Sequence, residues 1–353
     1  MKKFGIKAIT MAMVFPLLAS CGFVNESSSN SSSSLPGSSS SNSGTIDNEP
    51  RLDEINKILF GFNTTYSVKL WNAPASVVAE ITNIIDDYSA LADNYYEVPN
   101  INNVYSINKA DGPIKIDERL FTLLEKSLEY AEILNGYFNP LMGKLSKLWK
   151  DSLHVETGPI LPPQSTVDEL LREVKSSKLV LDKENMTAEI IGNAEIDLGA
   201  VAKGYSLSLI KEALDKRDVT EYLINGGDSA ILLGKKPGKT DFSVGMKDVP
   251  KAYFNSHDEI VSTSSMFVQG VEVNGIKYSH IINPFTGSAK TDFDLALAKG
   301  PMDGGLLDCM STAFSVMNID EIKAFESKYD LDIFIYDEGK IVYESKNMEV
   351  KYH

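Results

Sequence analysis

The stretch Glu195–Tyr205, EIDLGAVAKGY, places the strongest local constraint on how this chain can fold. Its pattern predicts a short strand that ends near Leu198, a turn at Gly199, and a helix whose first turn carries Lys203. The first residues of a helix present N–H groups without intrahelical partners and a partial positive charge, so this turn can bind a phosphate. Asp197 adds a carboxylate beside it. The alternative is an ordinary strand–turn–helix connection without a ligand, which is common in α/β units.

Elsewhere the apolar residues follow helical spacing in some segments and strand spacing in others. The clearest helix is predicted from Asp117, which can cap it, to Asn135, and Gly136 ends it. Pro140 is predicted to open a second short helix, and the polar residues 94–111 to form a loop. Hairpin-like strand pairs outnumber strict β-α-β units, the clearest being 178–181 with 188–191 and 333–336 with 341–343. We therefore predict an α+β fold, with mixed or antiparallel sheets and packed helices.

The size and charge of the chain limit the classes of molecule that it is expected to bind. It has 353 residues, of which 43% are hydrophobic, enough for a sizeable core. The formal net charge is −15, and because residues 1–20 contain three lysines and no acidic residue, the remainder carries −18. Nucleic acid and anionic lipid headgroups repel such an acidic body, so neither is expected as a substrate.

The amino terminus resembles the leader of a bacterial lipoprotein. A basic start, MKK, is followed by an apolar run and by LLASCG, which contains Cys21. Residues 1–20 are therefore predicted to be a signal peptide, and Cys21 to become the lipidated first residue after cleavage. The alternatives are a plain signal peptide and a short membrane helix, but the run is short for a membrane span and Pro16 interrupts it.

The residues after Cys21 divide into a tether and a folded body. Residues 21–50 are rich in serine and asparagine and are predicted to form the lipidated start and a disordered tether. Residues 51–353 are predicted to form the folded domain. The protein is thus expected at the extracytoplasmic face of the cell membrane, held by its lipid anchor alone. Once Cys21 is lipidated, Cys309 has no disulfide partner.

Three segments hold more glycine and polar residues than a packed core requires. INGGDSA, Ile224–Ala230, has a glycine pair that lets the backbone approach a ligand or simply turns a hairpin. VSTSS, Val261–Ser265, places three hydroxyls after a predicted strand, where they can hold a phosphate or cap a turn. YSHIINPFTG, Tyr278–Gly287, is predicted to carry His280 on a strand. A lone strand histidine is more often structural, but its side chain titrates near neutral pH.

A fourth segment, LLDCMSTAF over Leu306–Phe314, predicts a helix. Asp308 and Thr312 are four residues apart and therefore share a helix face, with Ser311 at the neighbouring position. A carboxylate with hydroxyls is a set of hard oxygen ligands that suits Mg²⁺. The alternative is a hydrogen bond between the Asp and the Thr on a helix surface. The sequence has no His/Cys cluster of the zinc type, no P-loop, no G-x-G-x-x-G after a strand and no G-x-S-x-G elbow.

Together and in this order, the polar segments resemble the FAD:protein FMN transferase family, also called the ApbE family. The resemblance covers about Asn108 to Phe314, with a weaker match back to Phe62. Its motifs are INKADGP, NGYFNPLMGKLSKLW, IDLGAVAKGY, LINGGDSAILLG, VSTSS, SHIINPFTG and DCMSTAF. The family is commonly exported and often a lipoprotein, which agrees with the leader that contains Cys21.

The resemblance implies an α+β fold that binds FAD and a divalent cation, usually Mg²⁺. Carried over by position, it implies flavin nucleotide contacts at Phe62, Tyr137, Phe138, Asn139, Asp197, Lys203 and Ile282. It also implies a metal site made by the side chains of Asp308 and Thr312 and the main-chain carbonyl of Ala200, with Ser311 as a candidate fourth ligand.

The implied reaction is attack by a serine or threonine hydroxyl of an exported acceptor flavoprotein on the FMN phosphorus of FAD, which releases AMP. A helix N-terminus, Lys203 and Mg²⁺ would neutralise the pyrophosphate and improve the leaving group. We hypothesise that His280 is the base that accepts the hydroxyl proton, because of its place in SHIINP.

The chain also departs from the family pattern, and these departures bear on the adenine side and on acceptor docking more than on the metal site. Residues that replace the usual ones include Asn139, Ser265, Asn283 and Phe285.

Two other functions stay open. One is Mg²⁺-dependent hydrolysis of FAD to FMN and AMP. The other is capture of a flavin or another solute by a lipid-anchored protein without chemistry. The sequence does not identify the acceptor.

Overall fold

The structure is a computed structural model that describes residues 50–353, except Asp228. The predicted signal peptide, the lipidation site at Cys21 and the tether up to residue 49 lie outside the described residues. Among the described residues, none of the helices combines the length and the apolar character that a membrane crossing requires.

The described residues form sixteen strands and nine helices, numbered along the chain. The strands are β1 (Arg51–Gly61), β2 (Thr64–Pro74), β3 (Ile114–Lys115), β4 (Lys178–Asp182), β5 (Thr187–Ile191), β6 (Glu221–Gly226), β7 (Ala230–Leu233), β8 (Phe242–Gly245), β9 (Ala252–Ser256), β10 (Glu259–Ser265), β11 (Val271–Val273), β12 (Ile276–Tyr278), β13 (Leu295–Gly300), β14 (Asp332–Asp337), β15 (Lys340–Glu344) and β16 (Lys351–Tyr352). The helices are α1 (Val77–Ala92), α2 (Val104–Lys109), α3 (Glu118–Ile133), α4 (Gly143–Leu153), α5 (Gln164–Ser176), α6 (Ala202–Asp215), α7 (Met266–Gln269), α8 (Gly304–Phe314) and α9 (Ile319–Lys328).

An eight-stranded sheet organises the fold. Its strand order is β1-β2-β6-β7-β10-β13-β14-β15, and each neighbouring pair is antiparallel. The described residues also form three smaller antiparallel sheets, β16-β9-β8, β3-β5-β4 and β11-β12. Helices and antiparallel sheets are interspersed along the described residues, which confirms the predicted α+β class.

The centre of the large sheet is buried on both faces. In β13, Ala296 and Ala298 belong to one core, whereas Leu295 and Leu297 belong to the other. The alanine face lies against α8, because small side chains let a helix pack closely onto a sheet. The leucine face is covered by apolar residues of β8 and β9. This division places α8 on one defined side of β10 and β13.

Helices α6 and α8 touch through their first turns. A Cβ atom added at Gly204 would lie 2.0 Å from the carbonyl oxygen of Gly304, so only glycine permits this approach. The contact brings the amino-terminal turn of α6 beside the middle of α8. The residues predicted to bind phosphate and the residues predicted to bind metal are thereby neighbours.

Several predicted elements are confirmed. Helix α3 begins after Asp117, whose side chain accepts from the Arg119 N–H, and Gly136 follows the helix with φ +83°. The hairpins β4–β5 and β14–β15 are also present. Lys203 lies in the first turn of α6, as predicted.

Five predictions need correction, in their presence or in their bounds, for identifiable reasons. Residues 94–111 include α2, because Asn103 caps it and Val104 and Ile107 are buried. Residues 195–198 form no strand of a sheet, since they pair with the loop before α4 through the Glu195 carbonyl and the Asp197 N–H. That loop also delays the helix predicted from Pro140, which begins at Gly143.

The other two corrections concern the VSTSS segment and the segment that carries His280. VSTSS does not follow a strand but lies within β10. The strand predicted to carry His280 ends at Tyr278. Beyond it the Ser279 hydroxyl oxygen accepts from the Ile281 N–H, 3.0 Å away, and the side-chain oxygen of Asn283 accepts from the Phe285 N–H, 2.9 Å away. Such local bonds hold a turn in place of an extended strand.

Candidate functional site

Asp308 is the centre of the candidate site. It lies in the middle of α8 and its side chain is almost fully buried, with 4% of the residue exposed. The Ser262 hydroxyl donates to Oδ1 at 2.8 Å, and the Gly204 N–H donates to Oδ2 at 3.1 Å. The carboxylate therefore joins α8 to β10 and to the first turn of α6.

Hydroxyl groups from β10 and α8 surround this carboxylate. The Ser264 Oγ lies 3.0 Å from the Ser311 Oγ and 3.3 Å from the Thr312 Oγ1. The Ser262 Oγ lies 3.1 Å from the Ser311 Oγ. The structure thus brings together the three side chains predicted as metal ligands, and it adds two serines.

Local sequence rules explain how α8 is placed. Asp303 caps the helix and accepts from the N–H groups of Gly305 and Leu306 at 2.8 and 3.1 Å. The Tyr130 hydroxyl donates to Asp303 at 2.6 Å, which connects the cap to α3. Three- and four-residue spacing then turns Asp308, Ser311 and Thr312 to the same side.

The electrostatic environment of Asp308 combines opposing effects. Burial raises the pKa of its carboxyl above the ordinary value, since a charged group loses hydration inside the protein. The positive charge of Lys203 opposes this rise, as do the hydrogen bonds from Ser262 and Gly204. A buried carboxylate whose hydrogen-bond donors are neutral is suited to a ligand that carries positive charge.

His280 lies on a loop within electrostatic reach of Lys203. Its side chain is partly exposed to solvent, yet the surrounding protein removes part of its hydration. Loss of hydration lowers the pKa of the His280 imidazole to about 4, and the charges of Lys203 and His154 lower it further in the same direction. The imidazole is therefore neutral at neutral pH and can accept a proton.

Trp149 of α4 contacts the His280 loop, the segment between Tyr278 and Gly287, at both of its ends. Its ring stacks on Tyr278, with centroids 5.7 Å apart and planes at 20°. Its indole N–H donates to the Gly287 carbonyl oxygen at 2.8 Å. These residues flank the loop, so α4 restrains both of its ends.

Four of the residues predicted to contact the flavin form a wall that is separate from the Asp308 cluster. They are Tyr137, Phe138, Asn139 and Asp197. Tyr137 donates its hydroxyl to Glu321 at 2.7 Å and meets the Phe285 ring edge-on at 4.8 Å. The side-chain oxygen of Asn139 accepts from the Leu141 N–H, and Phe138 is buried. The Asp197 N–H donates to the Pro140 carbonyl oxygen at 2.8 Å, so this wall adjoins the segment that leads into α6.

The remaining predicted contacts differ in their surroundings. Phe62 lies in the β1–β2 turn with φ +50°, and its ring centroid is 6.3 Å from that of Tyr66. The Tyr66 hydroxyl is in turn 3.5 Å from the Ser206 hydroxyl of α6. Ile282 is 9% exposed and packs with the large core. Ala200 lies in the turn directly before α6.

A small cavity on the leucine face of the large sheet is distinct from this site. It has a volume of about 50 Å³, and Ser229, Thr263 and Asp248 contribute to its lining. A volume of this size holds a few water molecules, since one water needs roughly 10–15 Å³ on the same measure.

Sequence reasoning singled out VSTSS as a segment that can hold a phosphate, but it did not assign Ser262 and Ser264 to the metal site. The signal that identifies them is the two-residue alternation of β10. Ser262 and Ser264 face α8, whereas Val261 packs on the opposite side of the sheet. Extending the predicted strand through Ser265 would have placed both hydroxyls on one face of that strand.

The donor set fits a hard divalent cation. It consists of one buried carboxylate and hydroxyl oxygens, which are the ligand types of Mg²⁺. Ser262 and Gly204 fill two of the roughly four acceptor positions of the carboxylate, which leaves positions for an ion. Within residues 50–353 other than Asp228, no three His, Cys, Asp or Glu side chains converge on a common point. Mg²⁺ commonly uses one or two carboxylates together with water and substrate phosphates.

These features define a class, an α+β protein with a buried oxygen-ligand site beside a helix N-terminus. Solved structures with the same fold include the ApbE protein of Thermotoga maritima, with a TM-score of 0.71 and 21% identity, covering 83% of this chain and 97% of that one. The flavin transferase ApbE of Vibrio cholerae has a TM-score of 0.66 and 17% identity, covering 84% and 98%.

The sequence profile of the ApbE family matches residues 62–335, and the chain belongs to this family. Two curated relatives carry the name FAD:protein FMN transferase. The Treponema pallidum protein is 28% identical over 229 residues, which span 59% of this chain and 62% of the relative. The Klebsiella pneumoniae protein is 24% identical over 293 residues, which span 79% and 88%.

Proposed function

We propose that this protein is an FAD:protein FMN transferase that uses Mg²⁺ to attach FMN from FAD covalently to a serine or threonine hydroxyl of an acceptor flavoprotein. The observation that carries the proposal is the contact of the buried Asp308 with Ser262 and with the first turn of α6. It joins the metal-type oxygens to the predicted phosphate-binding turn. The names of the curated relatives and membership of the ApbE family support the same activity.

The metal-binding role falls on α8 and on the turn before α6. Asp308, Thr312 and the Ala200 carbonyl would hold Mg²⁺, with Ser311 as a candidate further ligand. The ion would supply positive charge to the pyrophosphate oxygens of FAD. Asp308 must be ionised for this role, and the hydrogen bonds from Ser262 and Gly204 favour its ionised form.

Lys203 and the first turn of α6 would hold the pyrophosphate. In this turn the N–H groups of Ala202, Gly204 and Tyr205 already donate to acceptors in the protein, so the turn contributes mainly the positive end of the helix dipole. Lys203 adds a full positive charge on the same turn. Both effects stabilise negative charge as the bond between the FMN phosphorus and the AMP oxygen breaks.

His280 would act as the general base. The acceptor hydroxyl forms the new P–O bond, its proton passes to the neutral imidazole, and AMP leaves with the electron pair of the broken bond. The lowered pKa of His280 keeps the imidazole unprotonated at neutral pH. The flavin ring would lie against the wall that contains Tyr137, Phe138, Asn139 and Asp197, with Phe62 and Ile282 as further predicted contacts.

The proposal includes a location. The lipoprotein-like leader supports export, lipidation at Cys21 and a position on the extracytoplasmic face of the cell membrane. The acceptor would then be an exported flavoprotein. Loss of membrane association after Cys21→Ala, measured by fractionation of cells, tests this part alone.

Incubation of the full chain with FAD, Mg²⁺ and a candidate exported flavoprotein tests the activity. We expect flavin fluorescence on the acceptor in a denaturing gel and a mass gain equal to FMN less one water. Free FMN and AMP without a change in acceptor mass would instead identify an FAD pyrophosphatase. FAD that stays intact in the presence of several acceptors would indicate a binding protein.

A further inference from the structure

Two serines of β10 lie against α8 in an otherwise apolar part of the sheet. Ser262 is opposite Ala298 in the register with β13, and Ser264 is opposite Ala296. Both alanines are fully buried in the core that contains α8. The neighbouring strand therefore packs alanine on this face of the sheet. By the same measure, packing alone does not call for a hydroxyl at Ser262 or Ser264.

A buried hydroxyl is unfavourable unless it makes hydrogen bonds. Ser262 is 0% exposed, and its hydroxyl donates to Asp308 Oδ1 at 2.8 Å and lies 3.1 Å from the Ser311 Oγ. The Ser264 hydroxyl reaches Ser311 and Thr312. Within α8, these two hydroxyls thus contact only Asp308, Ser311 and Thr312, which are the candidate side-chain ligands of the cation.

From this geometry we infer that Ser262 and Ser264 are positioning residues for the cation site, a conclusion that rests on the proposed use of Mg²⁺. Ser262 fixes the orientation of the Asp308 carboxylate about its last side-chain bond. The hydroxyls of Ser311 and Thr312 donate to the Asp308 carbonyl oxygen, and the Ser264 hydroxyl, 3.0 and 3.3 Å from them, adds a restraint from β10. Both serines do so as neutral donors or acceptors, so neither adds a positive charge that would compete with the ion.

The neutral character of these partners distinguishes them from an ion pair. A lysine at Ser262 would hold the carboxylate equally well but would repel a divalent cation. A hydroxyl occupies one acceptor position and leaves the others for the ion. Partners of this kind typically change metal affinity by about 10- to 100-fold when they are removed.

Binding of Mn²⁺ to the full chain without FAD, followed through the electron paramagnetic resonance signal of free Mn²⁺, tests the inference. Ser262→Ala and Ser264→Ala should each weaken Mn²⁺ binding about tenfold or more relative to the unchanged protein. Asp308→Ala should abolish it. Ser127→Ala is the matched control, because Ser127 is also 0% exposed and its hydroxyl donates to a helix carbonyl in α3.

Mn²⁺ affinity that is unchanged in both β10 variants would overturn the inference, as would an equal loss in Ser127→Ala. Failure of the unchanged protein to bind Mn²⁺ would overturn it as well. Thermal unfolding of each variant shows that the fold is retained, and the half-buried Ser264 serves as the second test if Ser262→Ala does not fold. Transfer of FMN is assayed separately, so the expected Mn²⁺ result without transfer would reject the proposed function and keep this inference.

Discussion

The backbones of Gly204 and Gly304 are in direct contact. A Cβ atom at Gly204 would lie 2.0 Å from the Gly304 carbonyl oxygen, and one at Gly304 would lie 2.3 Å from the Gly204 carbonyl oxygen. Through this contact the amino-terminal turn of α6 reaches Asp308. The fold of the protein and the assembly of its site therefore depend on the same pair of residues.

Replacing Gly204 with alanine should destabilise the protein and separate α6 from α8. The added methyl group meets backbone atoms that cannot move aside freely, and such overpacking costs about 1–3 kcal/mol. Urea unfolding followed by circular dichroism measures the change. In Gly112→Ala the new Cβ would have nothing within 4 Å, so the free energy of unfolding should stay within about 0.5 kcal/mol. An equal stability of the two variants would contradict the packing account.

Replacing Trp149 with phenylalanine should slow transfer more than it weakens FAD binding. The variant keeps an aromatic ring beside Tyr278 but loses the N–H that bonds to the Gly287 carbonyl oxygen. A buried carbonyl without its donor costs about 1–3 kcal/mol and frees one end of the His280 loop. Steady-state kinetics with FAD give kcat and KM separately.

The same substitution at the other tryptophan provides the control. Trp71 lies in β2 and its ring contacts Phe242, which is part of the core on the leucine face. Trp71→Phe should therefore leave kcat within about twofold. A similar loss of kcat in both variants would show that Trp149 acts through general stability.

His280→Ala should abolish FMN transfer and leave FAD binding intact. The imidazole is assigned to proton removal from the acceptor hydroxyl, whereas the pyrophosphate is assigned to Lys203 and α6. General-base removal typically lowers a rate by about 10²- to 10⁴-fold. Mass spectrometry of the acceptor measures transfer, and flavin fluorescence quenching measures binding. Full activity of His280→Ala would reject the assignment of the base.

As the pH is lowered, kcat/KM should begin to fall only at a pH well below the ordinary pKa of histidine. Burial and the charges of Lys203 and His154 lower the pKa of His280 to about 4, so the neutral base persists as pH falls until that value. At pH 5 about nine-tenths of the imidazole is then neutral, against about 3% for an unperturbed histidine. Rates at pH 5 and pH 7.5 should therefore be similar. A fall centred near pH 6.5 would contradict the lowered pKa.

The same shift contributes to stability with a defined sign. The unfolded chain binds a proton at His280 below about pH 6.5, whereas the folded protein binds it below about pH 4. Between these values the unfolded state holds more protons, so the contribution of His280 to stability rises with pH. Solvent screening at this exposed side chain reduces the size of the effect.

The sequence predicts elements whose signals are local. The cap at Asp117 and the glycine at Gly136 define α3, and pairs of short apolar runs close together in the chain define the hairpins. The spacing of Asp308 and Thr312 is sufficient to place both on one face of a helix. These patterns need no knowledge of distant contacts.

Elements that depend on distant partners are not predictable in this way. Residues 195–198 are extended but pair with a loop near Pro140, and no local pattern distinguishes such pairing from a strand in a sheet. The short helix α2 has two buried apolar residues, too few for a periodic signal. Ser262 and Ser264 join the site because β10 packs on α8, a contact that the chain order does not reveal.

The dependence of FMN transfer on Mg²⁺ and on Asp308 tests the central claim most directly. With FAD and an exported acceptor flavoprotein, the account predicts Mg²⁺-dependent mass gain on the acceptor, no gain after EDTA, and recovery when Mg²⁺ is restored. Asp308→Asn is close in shape but carries no charge, so it should lose transfer by about 10²-fold or more at any Mg²⁺ concentration. Transfer that persists in EDTA or in Asp308→Asn would contradict the account.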